Sequence, residues 1–363
     1  MSAFIVAALR SAVVPRAGAF RGLGIADLGA PVLRAVLAQA GIAPGQVDEV
    51  ILSNALGAGG NPARLVALAA GLPERVAGLS IDRQCAGGLD AVLIGRALVA
   101  SGAAEVVVAG GVESFSRRPL RAVDGPQGPQ FYDRPAFTPW PDRDPDLAEA
   151  AAALALRLGF TRAAQEDWAL ASHGKALAAR GALRAEILPL DGVQDDVFAR
   201  VLTPALLGRA RVIAGSVTTA TTAVAADAAA FVVIVSQRLA RNQPSALRIA
   251  GGVTLGAAPD EPGLAPVAAI EAALSRAGLR PGDLALAEVM EAYAAQAMAC
   301  VGGARLDPQI VNPGGGALAR GHPIGASGAV LAVRLFHGLR RGHGLAAIAA
   351  AGGIGTALVV ERG

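Results

Sequence analysis

The sequence repeats one segment at a constant offset of 237 residues. Residues 33–45 and residues 270–282 are identical at six of 13 positions. In each copy, apolar residues three and four apart predict an amphipathic helix, and a glycine followed by Pro-Gly predicts its end. A short apolar segment, typical of a buried strand, follows each helix at 47–52 and at 284–290. We therefore expect two similar α/β halves.

The same offset relates Cys85 to His322, the two residues best suited to nucleophilic and acid–base chemistry. Each stands at the start of a glycine-rich segment with helical periodicity, which leads into an apolar run at 105–111 or at 345–351. Near-continuous apolar strands linked by helices are typical of parallel sheets covered on both faces. If the halves pack face to face, pseudo-twofold symmetry brings Cys85 and His322 to one shared centre.

A stretch of different character separates the two halves. It is rich in proline at first, and helical patterns follow at 147–158 and at 163–180. We interpret it as an inserted loop domain, because such insertions often cover an active site and contact the remote part of a substrate. The predicted organisation is an N-terminal half (1–114 plus 215–240), an inserted loop domain (115–214) and a C-terminal half (241–363).

Composition and charge argue against several classes of protein. The formal net charge is +3, but Lys175 is the only lysine and the arginines are dispersed, so nucleic-acid binding is not expected. Two cysteines cannot form a disulfide framework and favour a reducing compartment. No secretory signal is recognisable, and the uncharged stretch at 345–360 is too short for a membrane helix. We expect a cytoplasmic protein that does not contact a membrane.

No metal or cofactor site is predicted. The Cys, His, Asp and Glu residues show no spacing typical of metal ligands, and no glycine-rich run has the pattern of a phosphate-binding loop. Glu113 and Glu291 are candidates for carboxylates near the reactive residues, and a structural role for each is an equal alternative.

Cys85 precedes Ala-Gly-Gly at the predicted start of a helix. The helix dipole there is expected to lower the pKa of the thiol, and the small neighbours leave backbone N–H groups free to face a negative oxygen. His322 could accept the thiol proton. The alternatives are a buried, inert cysteine and a structural histidine. The remaining histidines, at 173, 337 and 343, are predicted to lie at the surface.

Three sequence blocks resemble the signatures of thiolases, the family of acetyl-CoA acetyltransferases and 3-ketoacyl-CoA thiolases. They are Gln-Cys-Ala-Gly-Gly-Leu at 84–89, Gly-Gly-Val-Glu-Ser at 110–114 and Gly-His-Pro-Ile-Gly-Ala-Ser-Gly at 321–328. The resemblance implies an α/β fold with a duplicated βαβαβαββ core, five layers (α/β/α/β/α) and an inserted loop domain. It also implies a homodimer or homotetramer and a coenzyme A thioester as substrate rather than a bound cofactor. Cys85 would carry the acyl group, and His322 would activate it.

The chain departs from thiolases at the groups that act after acylation. Thiolases carry a second cysteine, which moves a proton at the α-carbon when a carbon–carbon bond forms or breaks, and that position is Ala349 here. The glycine of the same turn is replaced by Ala351, followed by Gly352. The family's Asn-Glu-Ala-Phe, whose Asn holds a water at an oxyanion site, becomes Met290-Glu291-Ala-Tyr. The resemblance places Met290, Glu291, Ala351 and Gly352 around the oxyanion site.

The path of coenzyme A also differs from that of the family. The serine that lines the pantetheine path in thiolases falls at Ala223, and the arginine that meets the nucleotide falls at Thr203. Leu147 is the third residue that the resemblance assigns to this path.

Three functions remain open at this point. The first is an acyltransferase that takes an acyl group from acyl-CoA onto Cys85 and passes it to an acceptor without forming the carbanion itself. The second is an ordinary acetyl-CoA acetyltransferase in which another group replaces the lost cysteine. The third is a non-catalytic, acyl-CoA-binding partner subunit. All three share one fold, so the fold cannot separate them.

Overall fold

The computed structural model describes residues 2–57 and 59–363. The elements before the inserted segment are β1 (Ala3–Ser11), β2 (Val14–Pro15), α1 (Ile25–Ala40), β3 (Glu49–Ser53), α2 (Pro62–Ala69), β4 (Leu79–Ile81), α3 (Gly87–Ser101) and β5 (Val106–Glu113). The elements up to the next long strand are β6 (Arg121–Val123), β7 (Gln130–Tyr132), α4 (Leu147–Leu158), α5 (Arg162–Leu183), β8 (Ile187–Leu188), α6 (Pro204–Gly208), β9 (Val212–Ala214) and β10 (Val217–Thr218). The remaining elements are β11 (Ala226–Ser236), α7 (Gln237–Ala240), β12 (Leu247–Gly256), α8 (Ala265–Ala277), β13 (Leu284–Val289), α9 (Ala294–Gly303), α10 (Ala317–Arg320), α11 (Ile324–Gly338), β14 (Gly342–Ala350) and β15 (Ile354–Arg362).

The strands of the two halves follow the same order in their sheets. The first half runs β1-β11-β5-β3-β4, with β11 antiparallel to its two neighbours and β3 parallel to β4 and β5. The second half runs β12-β15-β14-β13, with β15 antiparallel to its neighbours, and a parallel bridge from Ala287 to Val311 takes the place of the fifth strand. A short contact between β1 and β12 joins the sheets. The predicted duplicated βαβαβαββ core is confirmed.

Three apolar clusters separate the layers of the fold. One fills the space between the sheets and contains residues of α3, α11 and the inner faces of both sheets, such as Val107 and Ile348. A second lies between α1 and α2 and the first sheet. A third lies between α8 and α9 and the second sheet. Strands covered on both faces explain the near-continuous apolar runs, and the predicted five-layered arrangement is confirmed.

The middle layer depends on glycines where α3 crosses α11. A Cβ on Gly88 would lie 2.6 Å from the backbone nitrogen of Ala329, and one on Gly328 would lie 2.4 Å from that of Leu89. Backbone atoms cannot rotate away as a side chain can, so a side chain at either position would push the helices apart. This close crossing positions the N-termini of both helices, where the reactive residues lie.

We expect Gly88→Ala to lower the free energy of unfolding by about 1–3 kcal/mol, because overpacking outweighs the better helix propensity of alanine. Urea unfolding would measure the change. Gly22→Ala is a matched control, because a Cβ at Gly22 meets nothing within 4 Å. Equal stability of the two variants would show that the helices separate without cost.

A buried ionic cluster anchors the segment after α5 to both halves. Arg10 contacts Glu186 at 2.8 Å and Asp196 at 2.7 Å, and Arg334 contacts Glu186 at 2.7 Å. Burial by itself would raise the pKa of Glu186, but the charges of Arg334 and Arg10 outweigh it and lower the pKa to about 2. These ion pairs fix one end of the inserted segment on β1 and α11. The helical patterns expected at 147–158 and 163–180 are α4 and α5, while the domain boundaries stay a prediction.

Within the described part of the chain, no helix has the length and apolar character needed to cross a membrane.

Candidate active site

Cys85 and His322 meet at the centre of the molecule. The Cys85 Sγ lies 3.0 Å from the His322 Nε2. Cys85 is in a 3₁₀ turn, Gln84–Ala86, directly before α3, and His322 precedes α11 by two residues. The offset of 237 residues therefore corresponds to a contact across the pseudo-twofold axis. The catalytic roles of the two residues stay predictions.

Ser327 determines which nitrogen of His322 carries the proton. The Ser327 Oγ lies 2.6 Å from the His322 Nδ1 and 3.2 Å from the carbonyl oxygen of Pro323. The arrangement that makes both contacts hydrogen bonds assigns the single hydroxyl proton of Ser327 to the carbonyl, which can only accept. The imidazole must then donate from Nδ1 to Ser327, which leaves the lone pair of Nε2 facing the thiol. This tautomer can act as a base toward Cys85.

Burial keeps both reactive groups neutral in the resting state. It raises the pKa of Cys85 to about 12, although the backbone N–H groups of Cys85 and Ala351 oppose the rise. Burial also lowers the pKa of His322 to about 4. The sequence-based expectation of a lowered thiol pKa was therefore wrong, because desolvation outweighs the helix dipole at this position. The resting pair is a thiol and a neutral imidazole, and the thiolate forms only as the sulfur attacks.

With His322 replaced by Gln, we expect iodoacetamide to alkylate Cys85 slowly at pH 7, with a rate that rises with pH beyond pH 9, because no base takes the thiol proton and the reactive thiolate is scarce below the raised pKa. Mass spectrometry of the variant that also carries Cys300→Ala would follow Cys85 alone, since these are the two cysteines of the chain. A rate that levels off below pH 8 would contradict this expectation and indicate that the pKa of the thiol is not raised.

Two backbone N–H groups face the sulfur, those of Cys85 and Ala351. Both would lie beside the oxygen of an acyl group bound to Sγ, which is the arrangement of an oxyanion hole. The turn is held by Gln84, which adopts a left-handed conformation (φ 49°) and donates its backbone N–H to the Asp82 carboxylate at 2.8 Å. Such strain in a residue next to a nucleophile is typical of functional sites.

A pocket of about 120 Å³ opens onto the sulfur. Its wall is mostly aliphatic and is formed by α4, the segment before β11, the turn before α8 and the end of β14. Six of the residues predicted from the sequence line it: Cys85, Leu147, Ala223, His322, Ala349 and Ala351. Ala223 is held in place by a hydrogen bond from its N–H to the carbonyl of Ala292 at 2.9 Å.

Four predicted residues do not line this pocket. Met290 is buried in the apolar cluster between the sheets. Glu291 accepts hydrogen bonds from Trp168, Ser172, Asn312 and the N–H of Leu318, so it ties α5 and α10 to β13. Gly352 adopts a left-handed turn (φ 78°) beside Phe137. Thr203 is exposed and caps α6 by accepting from the N–H of Leu206.

Glu113 supports the loop that carries His322. Its carboxylate accepts from the N–H of Gly325 at 2.9 Å, from the Asn54 side chain at 2.8 Å and from the N–H groups of Ala55 and Leu56. Burial raises the pKa of Glu113 to about 7 despite these donors. The carboxylate thereby joins β5 to the first turn of α11. Neither Asn54 nor Ser327 was identified from the sequence. The role of Asn54 depends on its contact with Glu113, and that of Ser327 depends on its contact with His322.

The prediction that His173 lies at the surface was wrong. His173 is buried on α5, and its Nδ1 accepts from the N–H of Arg200 at 3.2 Å. His337 is half-buried with its Nε2 2.8 Å from the carbonyl oxygen of Ala8, and His343 is partly exposed. In the described residues, no group of three or more His, Cys, Asp and Glu side chains is placed to hold a metal ion.

Known proteins are similar to this chain in fold and in sequence along its whole length. The family descriptions "Thiolase, N-terminal domain" and "Thiolase, C-terminal domain" match residues 3–238 and 243–362. A putative acetyl-CoA C-acetyltransferase, YhfS of Bacillus subtilis, is 37% identical over 99% of each chain. An acetyl-CoA acetyltransferase of Thiocystis violacea is 38% identical over 99% of this chain and 98% of its own. The crystal structure of Acat5 thiolase from Ascaris suum in complex with coenzyme A superposes over 100% of both chains with a TM-score of 0.93 and 27% identity. The chain belongs to the thiolase family.

Proposed function

We propose that this protein is an acyltransferase that takes an acyl group from a coenzyme A thioester onto Cys85 and passes it to an acceptor. The observation that carries the proposal is the 3.0 Å contact between the thiol and the unprotonated nitrogen of His322. The names of the relatives and the coenzyme A in the Ascaris thiolase structure support a coenzyme A thioester as the donor.

Acylation follows from the geometry of the site. As Sγ attacks the thioester carbonyl carbon, the Nε2 of His322 takes the thiol proton. The N–H groups of Cys85 and Ala351 hold the negative oxygen of the tetrahedral intermediate. The intermediate collapses, the bond to the coenzyme A sulfur breaks, and His322 returns the proton to that sulfur. The products are S-acyl Cys85 and free coenzyme A.

The choice of acceptor is restricted because the pocket lacks the second cysteine of thiolases. Ala349 offers no titratable atom where thiolases have a cysteine, so removal of a proton from an α-carbon has no evident base there. The acceptor in this proposal therefore arrives as a nucleophile: a thiol, water or a carbon nucleophile activated elsewhere. His322 would again take the proton of a thiol or of water.

Intact-mass measurement tests the proposal directly. The purified protein would be incubated with acetyl-CoA and with longer acyl-CoAs, and we expect a mass gain of one acyl group in the wild type. Cys85→Ala should show no gain, whereas Cys300→Ala, which removes the buried second cysteine, should behave as the wild type. Absence of acylation from every donor would overturn the proposal and favour a non-catalytic partner subunit.

A further inference from the structure

Gln296 places an unpaired hydrogen-bond donor in the wall of the catalytic pocket. It lies in the first turn of α9 and is 3% exposed. Its Oε1 accepts from the backbone N–H of Ala292 at 3.1 Å. A backbone N–H can only donate, so the side-chain atom facing it must be the oxygen, and this fixes the orientation of the amide. The remaining Nε2 is buried and has no partner among the described residues.

Tyr293 adds a second donor to the same pocket. It directly precedes α9, and its hydroxyl makes no hydrogen bond to any residue that the structure describes. Burial raises the pKa of Tyr293, and the negative charge of Asp146 raises it further. The phenol therefore stays protonated at neutral pH and can donate. Tyr293 and Cys85 line the same pocket.

No other described side chain of the wall is hydrogen-bonded to the Gln296 Nε2 or to the Tyr293 hydroxyl. Much of the wall is aliphatic: Leu147, Ala150, Ala151, Leu154, Ala349 and Ala350. Thr222 already donates its hydroxyl to the carbonyl of Thr218 at 2.9 Å. A buried donor without a partner costs free energy, which an occupant with an acceptor atom would recover. The pairing partner is therefore expected to be part of the substrate.

The charges around the pocket favour a neutral acceptor. Glu261 lines the pocket and is paired at 2.7 Å with Arg157, and the charge of Asp146 acts on the phenol of Tyr293. No cation among the lining residues would balance a carboxylate on the substrate. A hydroxyl or carbonyl oxygen has two lone pairs and can accept from both donors without adding charge.

We propose that Tyr293 and Gln296 together bind a neutral oxygen on the acyl group that Cys85 carries, beyond its thioester carbonyl. The enzyme then prefers an oxygenated acyl donor to an alkyl donor of the same length. This inference rests on the proposed acylation of Cys85 and specifies its substrate class.

Matched acyl donors test the inference. The rate of Cys85 acylation would be measured with butanoyl-CoA and with its 3-hydroxy and 4-hydroxy derivatives, by intact mass and release of coenzyme A. In the wild type, we expect one hydroxy donor to react faster than butanoyl-CoA. In Tyr293→Phe, which removes one oxygen atom, the ratio of these two rates should fall by about tenfold. Tyr132→Phe is the matched control, because Tyr132 lies on β7, outside the pocket, and should leave the ratio unchanged.

A second variant, at Gln296, tests the inference even if Tyr293→Phe is unstable. Gln296→Glu retains an oxygen to accept from Ala292 and replaces the free donor by an acceptor, so the ratio should fall in the same direction. Acylation of Cys85 with the same ratio in the wild type and both variants would overturn this inference alone. Absence of acylation from every donor would instead overturn the proposed function on which it rests.

Discussion

His322→Gln is expected to slow the acylation of Cys85 by about 10²–10⁴-fold at neutral pH. The reason is the raised pKa of the thiol, about 12, which leaves almost no thiolate at pH 7. The wild type avoids this shortage because Nε2 takes the proton while the new bond forms. Glutamine has a similar size and can still accept a hydrogen bond from the thiol, but it cannot take up its proton. Stopped-flow measurement of coenzyme A release in the first turnover would give the rate.

The pH profiles of the wild type and of His322→Gln should differ in shape as well as in absolute rate. The pKa of His322 is lowered to about 4, so the imidazole is already neutral at pH 5 and the wild-type rate should be level from there to about pH 9. Below pH 5, protonation of Nε2 should lower the rate. Without the base, the rate of the variant should depend on free thiolate and rise about tenfold per pH unit.

His343→Gln is the matched control, because this partly exposed histidine is 3.9 Å from Glu361 and far from the pocket lining. Acylation rates that are equal and independent of pH in the wild type and in His322→Gln would show that another group takes the proton. Thermal unfolding would confirm that both variants remain folded.

The duplication of the sequence predicted two similar α/β halves and the contact between Cys85 and His322. The repeated helix–strand pattern indicated the halves, and the offset indicated a contact across the axis that relates them if the halves pack face to face. Both inferences rest on local periodicity and symmetry, which a single sequence displays directly. The near-continuous apolar strands indicated sheets covered on both faces, whereas the duplicated βαβαβαββ core and its five layers were implied by the resemblance to thiolases.

The sequence could not predict quantities that depend on packing. The pKa of Cys85 was expected to be lowered by the helix dipole, but the direction of its shift is set by how far packing around the thiol desolvates it. His173 was expected at the surface because no glycine-rich segment surrounds it in the sequence, yet α5 turns its side chain toward Arg200. Thr203 was assigned to the coenzyme A path from the resemblance to thiolases. The structure shows that it caps α6, and its contact with coenzyme A stays a prediction.

Ala349→Cys is expected to raise the cleavage of acetoacetyl-CoA by coenzyme A about 10²–10⁴-fold over the wild type. Cleavage requires a proton for the α-carbon of the leaving group as the carbon–carbon bond to the Cys85-bound acyl group breaks. Ala349 lies at the end of β14 and lines the pocket together with Cys85 and His322. A thiol at this position would reach the space beside the acyl carbon and could donate that proton. Loss of acetoacetyl-CoA would be followed spectroscopically.

Ala349→Ser is the control that separates acid–base chemistry from a change in pocket shape. Its hydroxyl is close in size to the thiol but is a far weaker acid, so we expect little gain from it. A wild type that cleaves acetoacetyl-CoA within tenfold of Ala349→Cys would contradict the prediction. It would mean that a group already in the wall replaces the missing cysteine, and Tyr293 is then the first residue to examine, since its protonated phenol lies in the same pocket. The result therefore determines whether this protein makes and breaks carbon–carbon bonds or only transfers acyl groups that Cys85 receives.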